Sequence, residues 1–499
     1  MAPRTRAPRR TAKGRSAPRP TPADAPISPA RRAAAIRASV SRGRLDDLTP
    51  LLVALSDPSP GLRQTAAIAL GILRDSRASS TLATALTDPD VGVRASAAEA
   101  LGAIGRRESR EPLERTLEDP DAHVRARAAG ALRVLGHPAS VAALARHVED
   151  PSAEVRQAVA AALGALPSDE AVTALHRLLA DPSDRVRREA VLGCGRGTGE
   201  AVLVAVRPFL RDPAPRVRAA AAVVLGRHRD VASVPALLER VAAPETWEKP
   251  SVLVALGRIG CADAIPALVG ACEHERPWVR VCALHALGEM AVPAARRAAL
   301  GHANDPAWSV RGAAAIALGS AGGPDDLAVL LELLRDDHPW PRRGAIYAIG
   351  RLGLSEAAPR IREELADPAA EVKLAAIWAL GRLSDDGARE ELVRLLYGVR
   401  PVEEPVAAPK DGEGAGLVSD AETRLFDSVV QALGRLAQGT ADPFVHRALL
   451  DVRERLSEEE LDRLARLPLP ELRSDGTPPT LRALFESAIP GVTDDEENG

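Results

Sequence analysis

Apolar and polar positions along the chain follow one template that recurs every 31 residues. Its fixed point is an Asp-Pro pair followed by an apolar and a basic residue. It is seen as Asp57-Pro58 with Leu62-Arg63, Asp88-Pro89 with Val93-Arg94, Asp119-Pro120 with Val124-Arg125, and Asp150-Pro151 with Val155-Arg156. Asp181-Pro182 with Val186-Arg187 and Asp212-Pro213 with Val217-Arg218 continue it. With Asp as place 0, the same step reaches Ala243, His274, Asp305, Asp336 and Asp367, and place 6 is Lys249, Arg280, Arg311, Arg342 and Lys373. Places 5, 9, 12 and 16 are apolar, as in Val93, Ala97, Ala100 and Ile104, which is the spacing of one buried helix face. A first helix ends just before each anchor, because proline disfavours helical backbone in the residue ahead of it. A second helix starts just after, with Asp or Ser as its cap. Glycine at place 14 (Gly71, Gly102, Gly164, Gly195, Gly226, Gly257, Gly288, Gly319, Gly350, Gly381) reads as the end of that helix, with Arg133 as the exception. A period of this size predicts an array in which each helix pair buries its apolar face against its neighbours.

Sorting places by 100° steps gives the expected orientation of the second helix. Places 4, 8, 11 and 15 form a stripe of variable polarity and are expected to be exposed. Place 6 lies about half a turn away. Its arginine is expected to enter the layer between repeats and to bond the anchoring Asp and helix-end carbonyls.

The two-helix unit, the proline eight residues before some anchors (Pro235, Pro266, Pro359), the anchoring Asp and the Val-Arg pair together resemble HEAT repeats. The short period and Ala-rich second helix are most similar to the HEAT-like repeats of the phycobilisome-lyase type. The resemblance covers about residues 44–440 and implies an all-α, right-handed α-solenoid of about twelve two-helix units. It also implies that the second helices line a concave face.

Outside the array, residues 1–27 read as a disordered basic arm with Arg4, Arg6, Arg9, Arg10, Lys13, Arg15 and Arg19 against Asp24 alone. Ser28-Pro29 opens an expected capping helix over 28–43. The register breaks once, at a Pro-, Gly- and Glu-rich insert over 398–419 that reads as a flexible loop. Capping helices are expected over 441–472 and a mostly disordered acidic tail over 473–499.

Composition narrows the function classes. A net charge of −3 argues against a dedicated nucleic-acid protein. Cys194, Cys261, Cys272 and Cys282 form no CxxC pair and read as reduced thiols. No apolar run reaches the length of a membrane span, and the N-terminus lacks a secretory apolar core, so a cytoplasmic monomer is expected. No phosphate loop or nucleophile elbow occurs. Cys272, His274, Cys282 and His285 match no common zinc spacing, so neither a metal nor a cofactor is expected. The iron-binding HEAT enzymes carry several His-Glu pairs, whereas this chain has only His274-Glu275.

All five tryptophans fall between 247 and 378. Trp247, Trp278 and Trp340 occupy place 4, Trp308 place 3 and Trp378 place 11, where other units carry His285 and Tyr347. Place 15 turns basic from the fifth unit on, at Arg196, Arg227, Arg258, Arg351 and Arg382, with Glu289 and Ser320 between. Trp and Arg are enriched at binding hot spots. These twelve residues are the candidate partner-binding set, and the expected function is a non-catalytic scaffold or adaptor for a protein or peptide. Two alternatives stand beside it: a bilin-lyase-like enzyme or accessory protein, implied by the resemblance alone, and nucleic-acid binding, since the same side chains can stack bases and hold phosphate. The rings can also simply fill space between helices. The anchor lapses at Ala243 and His274, which marks a candidate bend where the Asp–Arg ladder is expected to be interrupted.

Overall fold

The computed structural model describes residues 48–395 except 167, 244–247, 384, 389–390 and 394, together with Val429 and Ala432. The arm, the first capping helix, the 398–419 insert, the expected C-terminal helices, the tail and Trp247 lie outside the described residues. Among the described residues every regular element is helical, and first and second helices alternate. None is long and apolar enough to cross a membrane.

The second helices number eleven among the described residues: α1 (Pro60–Leu73), α2 (Val91–Ile104), α3 (Ala122–Leu135), α4 (Ala153–Gly164), α5 (Asp184–Cys194), α6 (Pro215–Arg227), α7 (Lys249–Ile259), α8 (Pro277–Met290), α9 (Trp308–Ala321), α10 (Pro339–Leu352) and α11 (Ala370–Leu383). The first helices are shorter, as in Arg110–Thr116 and Leu327–Leu333, and most follow a 3-10 turn. The fold is an all-α solenoid of such pairs. It divides into two compact units, Met1–Val202 and Leu203–Gly499.

Most pairs are closed by the same apolar set. The residue six places before the anchor (Leu82, Leu113, Leu144, Leu268, Leu330, Ile361), the valine at place 5 and the leucine at place 13 (Leu101, Leu132, Leu256, Leu318) are buried. Full burial of one such side chain is worth about 2 kcal/mol, so the repeated core dominates the stability of the array.

The place-14 glycine ends its helix only in α4, which stops at Gly164, and in α5, where Gly195 is the C-cap; in the other second helices it lies one or two residues inside the end. α2 runs on to Ile104 and is capped by the left-handed Gly105. The glycine instead permits close helix packing: a Cβ on Gly102 would sit 2.7 Å from the Ala131 Cα, and one on Gly257 would sit 2.6 Å from the Ala286 Cα. The small residue at place 12 of the next helix completes each contact, which explains the alanine-rich second helices.

The basic residue at place 6 reaches forward by one repeat. Arg94 donates from Nε and Nη2 to the two carboxylate oxygens of Asp119, at 2.7 and 2.9 Å, and from Nη1 to the backbone oxygen of its own Asp88 at 2.9 Å. The Asp119 Oδ1 also accepts the Asp121 amide. Arg63–Asp88, Arg125–Asp150 and Arg156–Asp181 repeat the geometry in the first unit, as do Arg280–Asp305 and Arg342–Asp367 in the second. Burial works to raise the Asp119 carboxyl pKa, but the Arg94 hydrogen bond, the Asp121 amide and the nearby guanidinium charges outweigh it and hold it below its ordinary value.

The ladder is not interrupted at Ala243. Arg218 Nε donates to Oε1 of Glu248 at 2.6 Å, and Arg240 Nη2 joins the same oxygen at 3.2 Å. Glu248, five residues after the missing anchor, is fully buried and replaces the absent aspartate. His274 keeps the turn geometry of the other lapsed anchor, its Nδ1 accepting the Arg276 amide. The close glycine contact also persists, with a Cβ on Gly226 falling 2.6 Å from the Ala255 Cα. A different acid thus restores the rung at Ala243, whereas at His274 the rung lapses, since the register partner of Lys249 is not an acid.

Candidate functional site

The tryptophans of the second unit settle in two groups with different surroundings. Trp278, near the start of α8, and Trp308, which opens α9, are exposed at 39% and 46%. Trp308 stacks on His338, with ring centroids 3.9 Å apart and planes within 10°. His338 is held for this contact by its place as N-cap of α10, where its Nδ1 accepts the Trp340 amide.

Trp340 and Trp378 are half-buried and lie on glycines. A Cβ on Gly312 would fall 1.9 Å from the Trp340 ring, and one on Gly350 would fall 2.7 Å from the Trp378 ring. The Arg343 guanidinium sits over Trp340 at 4.2 Å and over Tyr347 at 5.9 Å. Tyr347 meets Trp378 at 4.9 Å with a tilt of 53°, and Arg382 lies over Trp378 at 5.9 Å. Trp340, Arg343, Tyr347, Trp378 and Arg382 thus form a continuous ribbon of rings and cations across α10 and α11. Such contacts are worth about 0.5–1 kcal/mol each at partly exposed sites, enough to fix the rings in place.

The place-15 arginines divide by partner. Arg382 Nε donates to the Gly350 oxygen at 3.0 Å, and Arg196 Nη1 donates to the Gly164 oxygen at 3.1 Å. Both therefore tie neighbouring second helices together. Arg227, Arg258 and Arg351 are exposed and make no ion pair among the described residues. Arg196 belongs to the first unit and is not grouped with the others. His285 is half-buried on α8, and burial lowers its pKa against the opposing charge of Glu289, so the imidazole is neutral at neutral pH.

The expected outer stripe needs one revision. Places 4, 11 and 15 are mostly exposed or half-exposed, but place 8 is buried at Ser96, Ala220, Ala313, Gly344 and Ala375. That margin faces the neighbouring helix. Sequence reasoning also passed over Arg343, at place 7, because no other unit carries a long side chain over an aromatic pair there.

A second feature missed from sequence is a groove of about 710 Å³ in the first unit, lined by α3, α4 and α5. Its walls include Arg127, Arg133, Arg185, Glu154, Gln157 and Glu189, and its floor is alanine and glycine. The signal was present in Arg133, where the array lacks its usual place-14 glycine.

Burial raises the Cys194 pKa to about 11 and the Cys272 pKa to about 12, where Glu273 adds to the effect. Neither forms thiolate readily at neutral pH. Among the described residues no three His, Cys, Asp or Glu side chains are grouped to hold a metal ion.

Comparison with known proteins bears on the scaffold. Yeast importin-β (Kap95p) matches at 13% identity over 89% of this chain and 80% of that chain, with a TM-score of 0.53, a likeness of fold alone. The complex of CpcE and CpcF of phycocyanin lyase from Nostoc sp. PCC7120 is 25% identical over 45% of this chain and 94% of that chain, at a TM-score of 0.32. Human deoxyhypusine hydroxylase is 26% identical over 59% of this chain and 91% of that chain, at 0.22. A search of curated protein sequences returned no match. The family model for HEAT repeats matches in overlapping stretches, 28–102, 48–133, 79–164, 111–194, 174–251, 251–319, 289–350 and 330–402. With that match running through three quarters of its length, the chain belongs to the HEAT-repeat family.

Proposed function

We propose that this protein is a non-catalytic cytoplasmic scaffold that binds a protein or peptide partner on the second-helix face of its second unit. The observation that carries the reading is the ribbon of Trp340, Arg343, Tyr347, Trp378 and Arg382, with Trp278 and Trp308 exposed nearby in sequence on α8 and α9. Rings fixed by stacking lose little freedom on binding, so the area they offer converts efficiently into affinity. Second helices lie about 10 Å apart, so α8 to α11 offer a track of about 30 Å. That length accommodates about nine residues of extended chain.

The test is a quantitative pull-down with mass spectrometry, comparing the wild-type chain with a Trp278→Ala/Trp308→Ala variant. Both rings are exposed, so the variant keeps the fold. The reading expects a partner retained by the wild type and lost by about tenfold or more in the variant, the scale of a hot-spot pair. Equal retention of every captured protein would contradict it.

A further inference from the structure

Charge on the second-helix face of the second unit is strongly one-sided. Arg216, Arg227, Arg258 and Arg351 are exposed there and form no ion pair among the described residues. Arg343 and Arg382 add two cations held against the rings. The opposing acids at places 4, 11 and 15 are Glu289 and Glu371 alone. The contrast with the ladder is informative. Each ladder arginine described above is matched to a carboxylate at hydrogen-bond distance, whereas the face arginines have none.

We propose that the partner segment taken by this face is an acidic peptide, in which carboxylates alternate with apolar side chains. This rests on the reading of the face as a protein-binding surface and names the chemistry it selects. Carboxylates would answer Arg227, Arg258 and Arg351 at the helix ends, and apolar side chains would seat on Trp278 and Tyr347. Arginine favours this role because its planar donors match a carboxylate in bidentate fashion. The exposed, unpaired cations also raise the rate of encounter with an acidic segment, an effect that salt suppresses.

The experiment is selection of a displayed random-peptide library on the full chain, on an Arg227→Gln/Arg258→Gln/Arg351→Gln variant and on the Trp278→Ala/Trp308→Ala variant. An oligothymidylate is titrated in parallel. The expected result is a consensus rich in Asp and Glu with apolar residues between them. Its affinity should fall by about tenfold in the arginine variant, as three exposed charge contacts give. A neutral or basic consensus, or an acidic one indifferent to the arginine substitutions, overturns the proposal. So does arginine-dependent oligothymidylate binding without acidic peptides. If the tryptophan variant alone loses the selected peptides, the protein-binding face stands and only its acidic preference fails. If neither variant loses them, both readings fall.

Discussion

The two units share one frame and differ in what they hang on it. In the first unit, places 4, 7, 8, 11 and 15 carry small, aliphatic and mixed-charge side chains without an aromatic ring larger than His123, and the groove along α3, α4 and α5 sets Arg127, Arg133 and Arg185 against Glu154 and Glu189. Several of these charges have a polar or ionic neighbour, as Glu154 has the His123 ring and Arg127 has Glu99. In the second unit the same places carry tryptophan, tyrosine and arginines without carboxylate partners. The ladder and the leucine core are common to both. Identity of frame with difference of lining separates residues that build the repeat from residues left free to vary.

The largest expected effect concerns the frame, and it should appear in both units. Asp88, Asp119, Asp150, Asp181, Asp305 and Asp336 all titrate below their ordinary value. Their folded pKa is depressed, so their contribution to stability is complete above the unfolded value of about 4 and is lost as pH falls through the lower folded values. Circular dichroism against pH should show a helical plateau from neutrality to about pH 5 and cooperative loss below pH 4. A plateau reaching far below that range would break the ladder account.

A single rung comes next. Arg94→Ala leaves the Asp119 carboxylate buried and unpaired and should cost about 3 kcal/mol in urea denaturation. Lys249→Ala is the control, because its register partner is His274 and not an acid. It should cost less than about 0.5 kcal/mol, the scale of a surface substitution. Equal losses would mean that the ladder is not what distinguishes the two positions.

The substituted rung sharpens this further. Glu248→Ala exposes Arg218 and Arg240 to each other and should cost about 2–3 kcal/mol. Ala243→Asp, made in that background, restores an acid at the regular place and should recover part of the loss. A double-mutant cycle showing no coupling would separate the two positions and contradict the replacement.

The smallest effects on stability distinguish the two tryptophan groups. Trp340→Ala removes the ring seated on Gly312 and should cost about 2 kcal/mol. Trp278→Ala, at an exposed ring, should change stability by less than about 0.5 kcal/mol while weakening partner binding.

The frame was legible because it repeats. Eleven readings of one template reveal which places are apolar, which are basic and which must be small, even though the glycine at place 14 was first read as a helix end. Its role is set by the next repeat's alanine, a contact at long range in sequence. Glu248 was illegible for a related reason: its partners, Arg218 and Arg240, lie 30 and 8 residues away, and the motif it completes stands five places earlier. The lining was legible only as a change in composition. Sequence located the tryptophans and arginines, yet gave no means of separating Arg382, tied to the Gly350 carbonyl, from Arg351, which is exposed. The same limit hid the groove around Arg133, since a pocket depends on what three consecutive helices leave unfilled.

The most direct test of the account is hydrogen–deuterium exchange on the full chain, alone and with the partner recovered in the pull-down. The account predicts new protection in the second unit, over α6 to α11 between Pro215 and Leu383, with α3, α4 and α5 unchanged. Protection confined to the groove along α3, α4 and α5 would contradict it and assign binding to the first unit.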